Sequence, residues 1–174
     1  LRLSEDNGRT WGPARRLPDG ILGPIKNKPV QLKDGSILAG SSEEGFKDGP
    51  SWRIHFERSR DNGVTWEKIP VKQGPGDPAS IQPSILTLGD GLLMAVGRTK
   101  NAKVFSTVSG DQGSTWSKVE LTDLPNPNSG TDAVTLKDGR HLLIYNHTAK
   151  GRSPLNLAVS RDGLAWSAAL VLED

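Results

Sequence analysis

Few residues in this 174-residue chain are equipped for acid–base or nucleophilic chemistry. It has one tyrosine, three histidines and no cysteine, which removes thiolate chemistry, Cys–zinc sites and disulfides. Tyr145 and His147 stand together in Tyr-Asn-His-Thr, residues 145–148. His147 suits a proton shuttle or an ordinary loop position, and Tyr145 a reactive phenol or a core residue. Asp132 follows Asn-Pro-Asn-Ser-Gly-Thr. A carboxylate there acts as general acid or base if partly desolvated, or simply caps its own loop. Glu43 and Glu44 open a Gly-rich loop; they are a second carboxylate candidate or solvated loop acids. Arg98 and Arg152 carry forks suited to a carboxylate or to a surface ion pair. Asn126, Asn128 and Ser129, stiffened by Pro125 and Pro127, hydrogen-bond sugar hydroxyls or form turns. Trp52 either stacks on a sugar ring or begins the core of a strand. The histidines show no metal-ligand spacing, so no metal site is expected.

What must position these groups is a repeat. Residues 4–11 read SEDNGRTW, 59–66 SRDNGVTW, 109–116 SGDQGSTW, and 160–166 SRDGLAW, one residue shorter. The leading serines are 55, 50 and 51 residues apart. Interleaved with them are VQLKDGSIL, ILTLGDGLLM and AVTLKDGRHLL, each placing Asp-Gly between apolar runs, a strong hairpin signal. Each unit of about 50 residues therefore holds four antiparallel strands, which is the pattern of a propeller blade. Asp6, Asp61 and Asp111 accept hydrogen bonds within their turns, so a structural role is expected of them. Trp11, Trp66, Trp116 and Trp166 are each expected to bury a ring at the start of the outer strand. The blades span 18–73, 74–122 and 123–174, preceded by the end of another blade at 1–17.

The Asp-Gly hairpin and the repeated turn fall at one end of each blade. The variable connections fall at the other, where functional loops belong: 18–28, 73–82 and 124–132 between blades, and 41–51, 98–103 and 146–155 within them. Strand one lines the axis, so Lys28, Gln82 and Asp132 are expected to ring its mouth. Ser42, Arg98 and Asn146, at the ends of strand two, stand behind them. This polar, concave cluster is the expected binding site.

The repeated turn is the Asp box, and over its whole length the chain resembles the sialidase superfamily. It is most similar to bacterial sialidase-like proteins in GPIKNKP (23–29) and in residues 124–148. The resemblance implies a six-bladed, all-β sialidase-type propeller, of which about three and a half blades are present. It implies a glycoside hydrolase cleaving a terminal acidic sugar from glycans, without a cofactor. It makes Tyr145 a candidate nucleophile, normally paired with a glutamate. It also calls for three arginines around a carboxylate, where Arg98, Arg152 and the poorer Lys28 stand. A uronate-specific polysaccharide lyase using Tyr145 or His147 as base, and a non-catalytic glycan- or protein-binding propeller, are the alternatives. The chain opens inside a motif without Met, so a piece of a longer protein is expected; otherwise two copies complete a ring.

Composition is polar without being disordered, at 34% hydrophobic and 24% charged, and Gly 20 with Pro 12 at regular places means many turns and short strands. The net charge of +2 is scattered, unlike the basic stripe of a nucleic-acid binder. No apolar run approaches the ~20 residues of a membrane helix. Localisation is left open.

Overall fold

The computed structural model describes residues 1–174. Twelve strands form three four-stranded antiparallel meanders, and there is no helix. The first blade holds β1 (Val30–Gln31), β2 (Ile37–Glu44), β3 (Trp52–Ser59) and β4 (Glu67–Pro70). The second holds β5 (Ser80–Gly89), β6 (Leu92–Thr99), β7 (Lys103–Ser109) and β8 (Glu120–Pro125). The third holds β9 (Asp132–Thr135), β10 (His141–Asn146), β11 (Leu155–Ser160) and β12 (Trp166–Glu173). The outer strand β8 continues to Pro125, three residues beyond the sequence boundary at 122. Residues 1–29 contribute no strand. The architecture is part of a β-propeller.

Strands one and two meet at Asp34-Gly35, Asp90-Gly91 and Asp138-Gly139. The glycines there have φ of 83°, 80° and 85°, a region costly for other residues. In the three full-length Asp boxes, Asp6, Asp61 and Asp111 each accept the threonine N–H four residues on through Oδ1, at 2.8 Å. Oδ2 of each accepts the same threonine's hydroxyl at 2.6–2.7 Å. The serine Oγ accepts the glycine N–H at 2.7 Å. The shorter fourth turn closes differently: Asp162 Oδ1 accepts Leu164 N–H at 2.8 Å and Ala165 N–H at 2.9 Å. These carboxylates are saturated by their own turns and lie on the hairpin end.

The core lies between blades. Leu38, Phe56, Ile85, Leu93 and Phe105 join the first to the second; Met94, Val96, Val104, Leu143 and Tyr145 join the second to the third. Trp116 stacks on Phe56 of the preceding blade, with ring centroids 3.8 Å apart. Trp66, Trp116 and Trp166 are half-buried, and each Nε1 donates to the glycine carbonyl of its own Asp box. Trp11 departs from the expectation: it is 59% exposed, because no sheet stands behind it. The first two blades approach closely at Gly40, where a Cβ would fall 2.6 Å from the Pro83 carbonyl oxygen.

Candidate functional site

The lead-in to strand one of each blade arrives at the loop end of the axis. There the structure joins Lys28 to Asp132, while Gln82 is tied through its backbone to Asn27 and Ser42. Lys28 Nζ donates to Asp132 Oδ1 at 2.8 Å and Oδ2 at 2.9 Å, and to the Ala133 carbonyl at 3.2 Å. One ammonium from the first blade thus crosses to the third. Asp132 also accepts from Ser84 Oγ at 3.2 Å and from Ala133 N–H at 2.8 Å. Burial pushes its pKa up, but the Lys28 hydrogen bond and charge, with Ser84 and Ala133, outweigh burial and hold it below the usual carboxylate range. Asp132 is therefore ionised at neutral pH, and suits a base or an electrostatic role better than an acid. Below it the axis opens as a cavity of about 300 Å³ lined by Val30, Ile85, Thr87 and Thr135. A larger cleft of about 410 Å³, with Gln31, Asp90 and Gln112, lies on the hairpin end, away from these groups.

Gln82 sits in a bulge of β5 with φ of 58°. Its N–H donates to Ser42 Oγ, and its carbonyl accepts Asn27 Nδ2 at 2.8 Å. Its side-chain Oε1 is buried without a partner. Arg98, at the end of β6, is half-buried. Its guanidinium lies 5.4 Å from the Trp52 ring centroid, and Nη1 donates to the Asn128 carbonyl at 3.2 Å. Burial lowers its pKa, opposed by Glu44 and aided by Arg152. Trp52 takes the core alternative: it is buried and covered by Arg98 and by Lys100 Nζ, the latter at 4.4 Å.

Other candidates are committed elsewhere. Asn126 is fully buried, and its amide bonds Ser129 on both sides. Asn146 is 5% exposed; it accepts from Ser129 Oγ and donates to the Arg152 and Pro154 carbonyls. Both clamp loops and are buried away from solvent. Asn128, with φ of 63°, does leave a buried, unpartnered Oδ1. The Arg152 side chain is on an exposed loop without an ion pair. Glu43 alternates to the sheet face opposite Ser42 and Glu44 and pairs with Lys68 at 2.8 Å, so it turns away from the second blade. Tyr145 is 3% exposed within the core between blades, and its hydroxyl hydrogen-bonds His147 Nδ1. Burial raises its pKa. Its partner is an imidazole, not a glutamate.

Two groups escaped the sequence reading. Lys26, two residues before Lys28, has φ of 67° and crosses to the third blade, donating to the Thr131 carbonyl at 2.7 Å. A count back from strand one stops at Lys28, and only the Lys-x-Lys spacing hinted at it. Glu57, fully buried, accepts Leu22 and Gly23 N–H at 2.8 and 2.6 Å and contacts His55 Nε2 at 3.0 Å. It anchors the loop that carries both lysines, and nothing local in β3 signals that role.

The chain matches the family model described as BNR repeat-like domain over residues 1–174. It is similar to a sialidase of Bacteroides fragilis, 25% identical over 96% of this chain and 33% of the relative. Among solved structures it is similar to a protein of unknown function from Dyadobacter fermentans, with a TM-score of 0.76 at 22% identity, over 99% of this chain and 51% of that one. The intramolecular trans-sialidase of Ruminococcus gnavus aligns with a TM-score of 0.69 at 20% identity, over 96% and 38%. The chain thus spans between a third and about half the length of these proteins. With Asp boxes, four-stranded blades and a family match over every residue, the chain belongs to the BNR repeat-like family of the sialidase superfamily.

Proposed function

We propose that this chain supplies part of the site of a sialidase-like glycoside hydrolase that removes a terminal acidic sugar from glycans. The observation that supports the reading is that cations of two blades reach the third at its loop end, Lys28 pairing with Asp132 and Arg98 donating to the Asn128 carbonyl. Cations there outnumber carboxylates, and buried acceptors stand unpartnered. A ligand with one carboxylate and several hydroxyls matches both features. Asp132, ionised and hydrogen-bonded, serves as base or electrostatic partner. A mouth on the axis draws on every blade of a ring, so three blades bind a sugar without completing the catalytic set.

One contact favours a second reading. The Tyr145 hydroxyl against His147 Nδ1 suits a uronate lyase, in which that pair removes the proton α to the carboxylate and Arg98 or Lys28 neutralises the acid. Calorimetric titration with acidic and neutral methyl glycosides, followed by incubation with sialosides and uronide oligosaccharides, tests both. Binding of acidic but not neutral sugars, without turnover, is expected. An ultraviolet-absorbing unsaturated product would establish the lyase instead. Acid binding left unchanged by Asp132→Asn would support a non-catalytic glycan-binding propeller, and failure to bind any acidic sugar would remove the glycan reading.

A further inference from the structure

The joint before the first blade is built from other residue types than the two joints between blades. Counted back from the Asp-box serines Ser59, Ser109 and Ser160, the second residue is Glu57, Thr107 or Ala158, and the fourth is His55, Phe105 or Asn156. Phe105 and Ala158 belong to the apolar clusters between blades. The first blade instead sets a carboxylate and an imidazole there, 0% and 3% exposed. What covers them is a loop, since residues 1–29 contribute no strand. Such a loop carries N–H groups that no sheet partner satisfies, and burying them unpaired is costly. Glu57 meets that need: Oε1 accepts Leu22 N–H at 2.8 Å, and Oε2 accepts Gly23 N–H at 2.6 Å. His55 Nε2, 3.0 Å from Oε1, is the third contact. Lys68 stands opposite Glu57 in β4, but its ammonium is committed to Glu43 at 2.8 Å. Further along the loop, Ile25 N–H donates to the Gly40 carbonyl at 3.1 Å. The loop then ends on the other two blades. Asn27 Nδ2 donates to the Gln82 carbonyl at 2.8 Å, and Lys28 holds both carboxylate oxygens of Asp132. Gly23 and Lys28 are only five positions apart, so the buried anchor and the ion pair across the molecule share one short, tethered segment.

We propose that Glu57, held by His55, is a positioning residue that fixes the loop at Leu22 and Gly23 so that Lys28 arrives on Asp132. It rests on the reading above of Asp132 as base or electrostatic partner. An apolar residue at position 57 could pack under the loop but could not hold two successive N–H groups, and so would not set the register in which Lys28 reaches the third blade. Asp132 is faced by Lys28 and by Ser84, and Lys26 of the same loop senses its charge. Releasing the loop would withdraw both lysines and leave Asp132 with the cost of its partial burial.

Carboxyl-carbon NMR titration of the full chain reads Asp132 directly. In the parent it is expected to titrate below the ordinary aspartate range, and Lys28→Met should raise its midpoint. Glu57→Gln replaces an acceptor oxygen with a donor and is expected to move the Asp132 midpoint the same way. The double variant should move it no further than Lys28→Met alone, because both changes act through one ion pair. Glu57→Asp, which keeps the carboxylate on a shorter stem, should move it less. A merely structural acid would lower the melting temperature and leave the midpoint where it was. That result, or additive shifts in the double variant, would overturn the proposal alone. A parent Asp132 that titrates as an ordinary aspartate would remove the reading of Asp132 and the proposal with it. Where Glu57→Gln fails to fold, amide hydrogen exchange in the parent decides. The N–H groups of Leu22 and Gly23 are expected to be protected about a hundredfold relative to those of exposed Arg16 and Asp19, and equal protection would overturn the anchor.

Discussion

At the residue scale, the carboxylates of this molecule divide by what satisfies them. Asp6, Asp61 and Asp111 are each held at a pKa of about 2, first by the threonine hydroxyl and then by the threonine N–H. In the unfolded chain an aspartate titrates near ~3.9, so the folded state binds fewer protons in between. Their stabilisation is complete above about pH 4 and is lost as pH falls toward about 2. His141, 1% exposed and bonded to Thr135 Oγ1 at 3.0 Å, has its pKa lowered by burial. It adds an earlier loss as pH falls below ~6.5. Thermal melts from pH 8 to 2 are expected to show a shallow decline starting near ~6.5 and a steep one below ~4. His141→Gln should remove only the upper one. A melting temperature flat across both windows would contradict these assignments.

At the element scale, the Asp box is a joint between blades as well as a turn. Gly113 lies against Leu38 and Arg58 of the preceding blade, and Gly163 against Met94 and Leu88. Arg58 Nη1 donates across that joint to Ser114 Oγ at 3.2 Å. Trp116 and Trp166, packed against the clusters shared with the preceding blade, add apolar area to the same joint. Trp116→Ala removes the ring stacked on Phe56 and should cost about 3 kcal/mol. The same change at Trp11, 59% exposed, should cost less than about 0.5 kcal/mol. Denaturant unfolding of the two variants checks the contrast; equal losses would mean that the stacking is not what stabilises the joint.

At the scale of the whole molecule, the two ends of the blade series are unlike. Before the first blade, Gly63 lies against Leu1, as Gly113 and Gly163 lie against their preceding sheets. Residues 1–17 thus occupy the place of a preceding blade. After the third blade nothing covers the outer sheet face, where Val134, Ile144 and Leu170 are 37%, 41% and 56% exposed. Two copies closing one ring would have to displace residues 1–17 to bring that face against the first blade. Light scattering over a range of concentrations is therefore expected to give a mass that rises from 18.7 kDa without a plateau, driven by the apolar face. A stable plateau at twice that mass would show that a closed dimer forms.

Much of this was legible in the residues themselves. Asp-x-Gly-x-Thr-Trp and Asp-Gly are local signals, since hydrogen bonds within four residues and left-handed glycines need no distant partner. Four such turns at near-constant spacing determined the strand count, the blade and the end of the molecule that carries variable loops. Counting back from strand one pointed to Lys28 and Asp132, which the structure joins in an ion pair across blades, whereas Gln82 lies in a left-handed bulge that the count does not foresee. What only the tertiary structure decided lies in the irregular loops and across blades. The left-handed turn at Lys26 sends its ammonium to Thr131, more than a hundred residues away. Glu57 is buried under a loop from another part of the chain. Asn146 and Trp52 look in sequence like ligand groups, yet Ser129 and Arg98, distant in sequence, have already engaged them. Sequence determines a contact when its partner is a few residues away; between blades, packing chooses the partner.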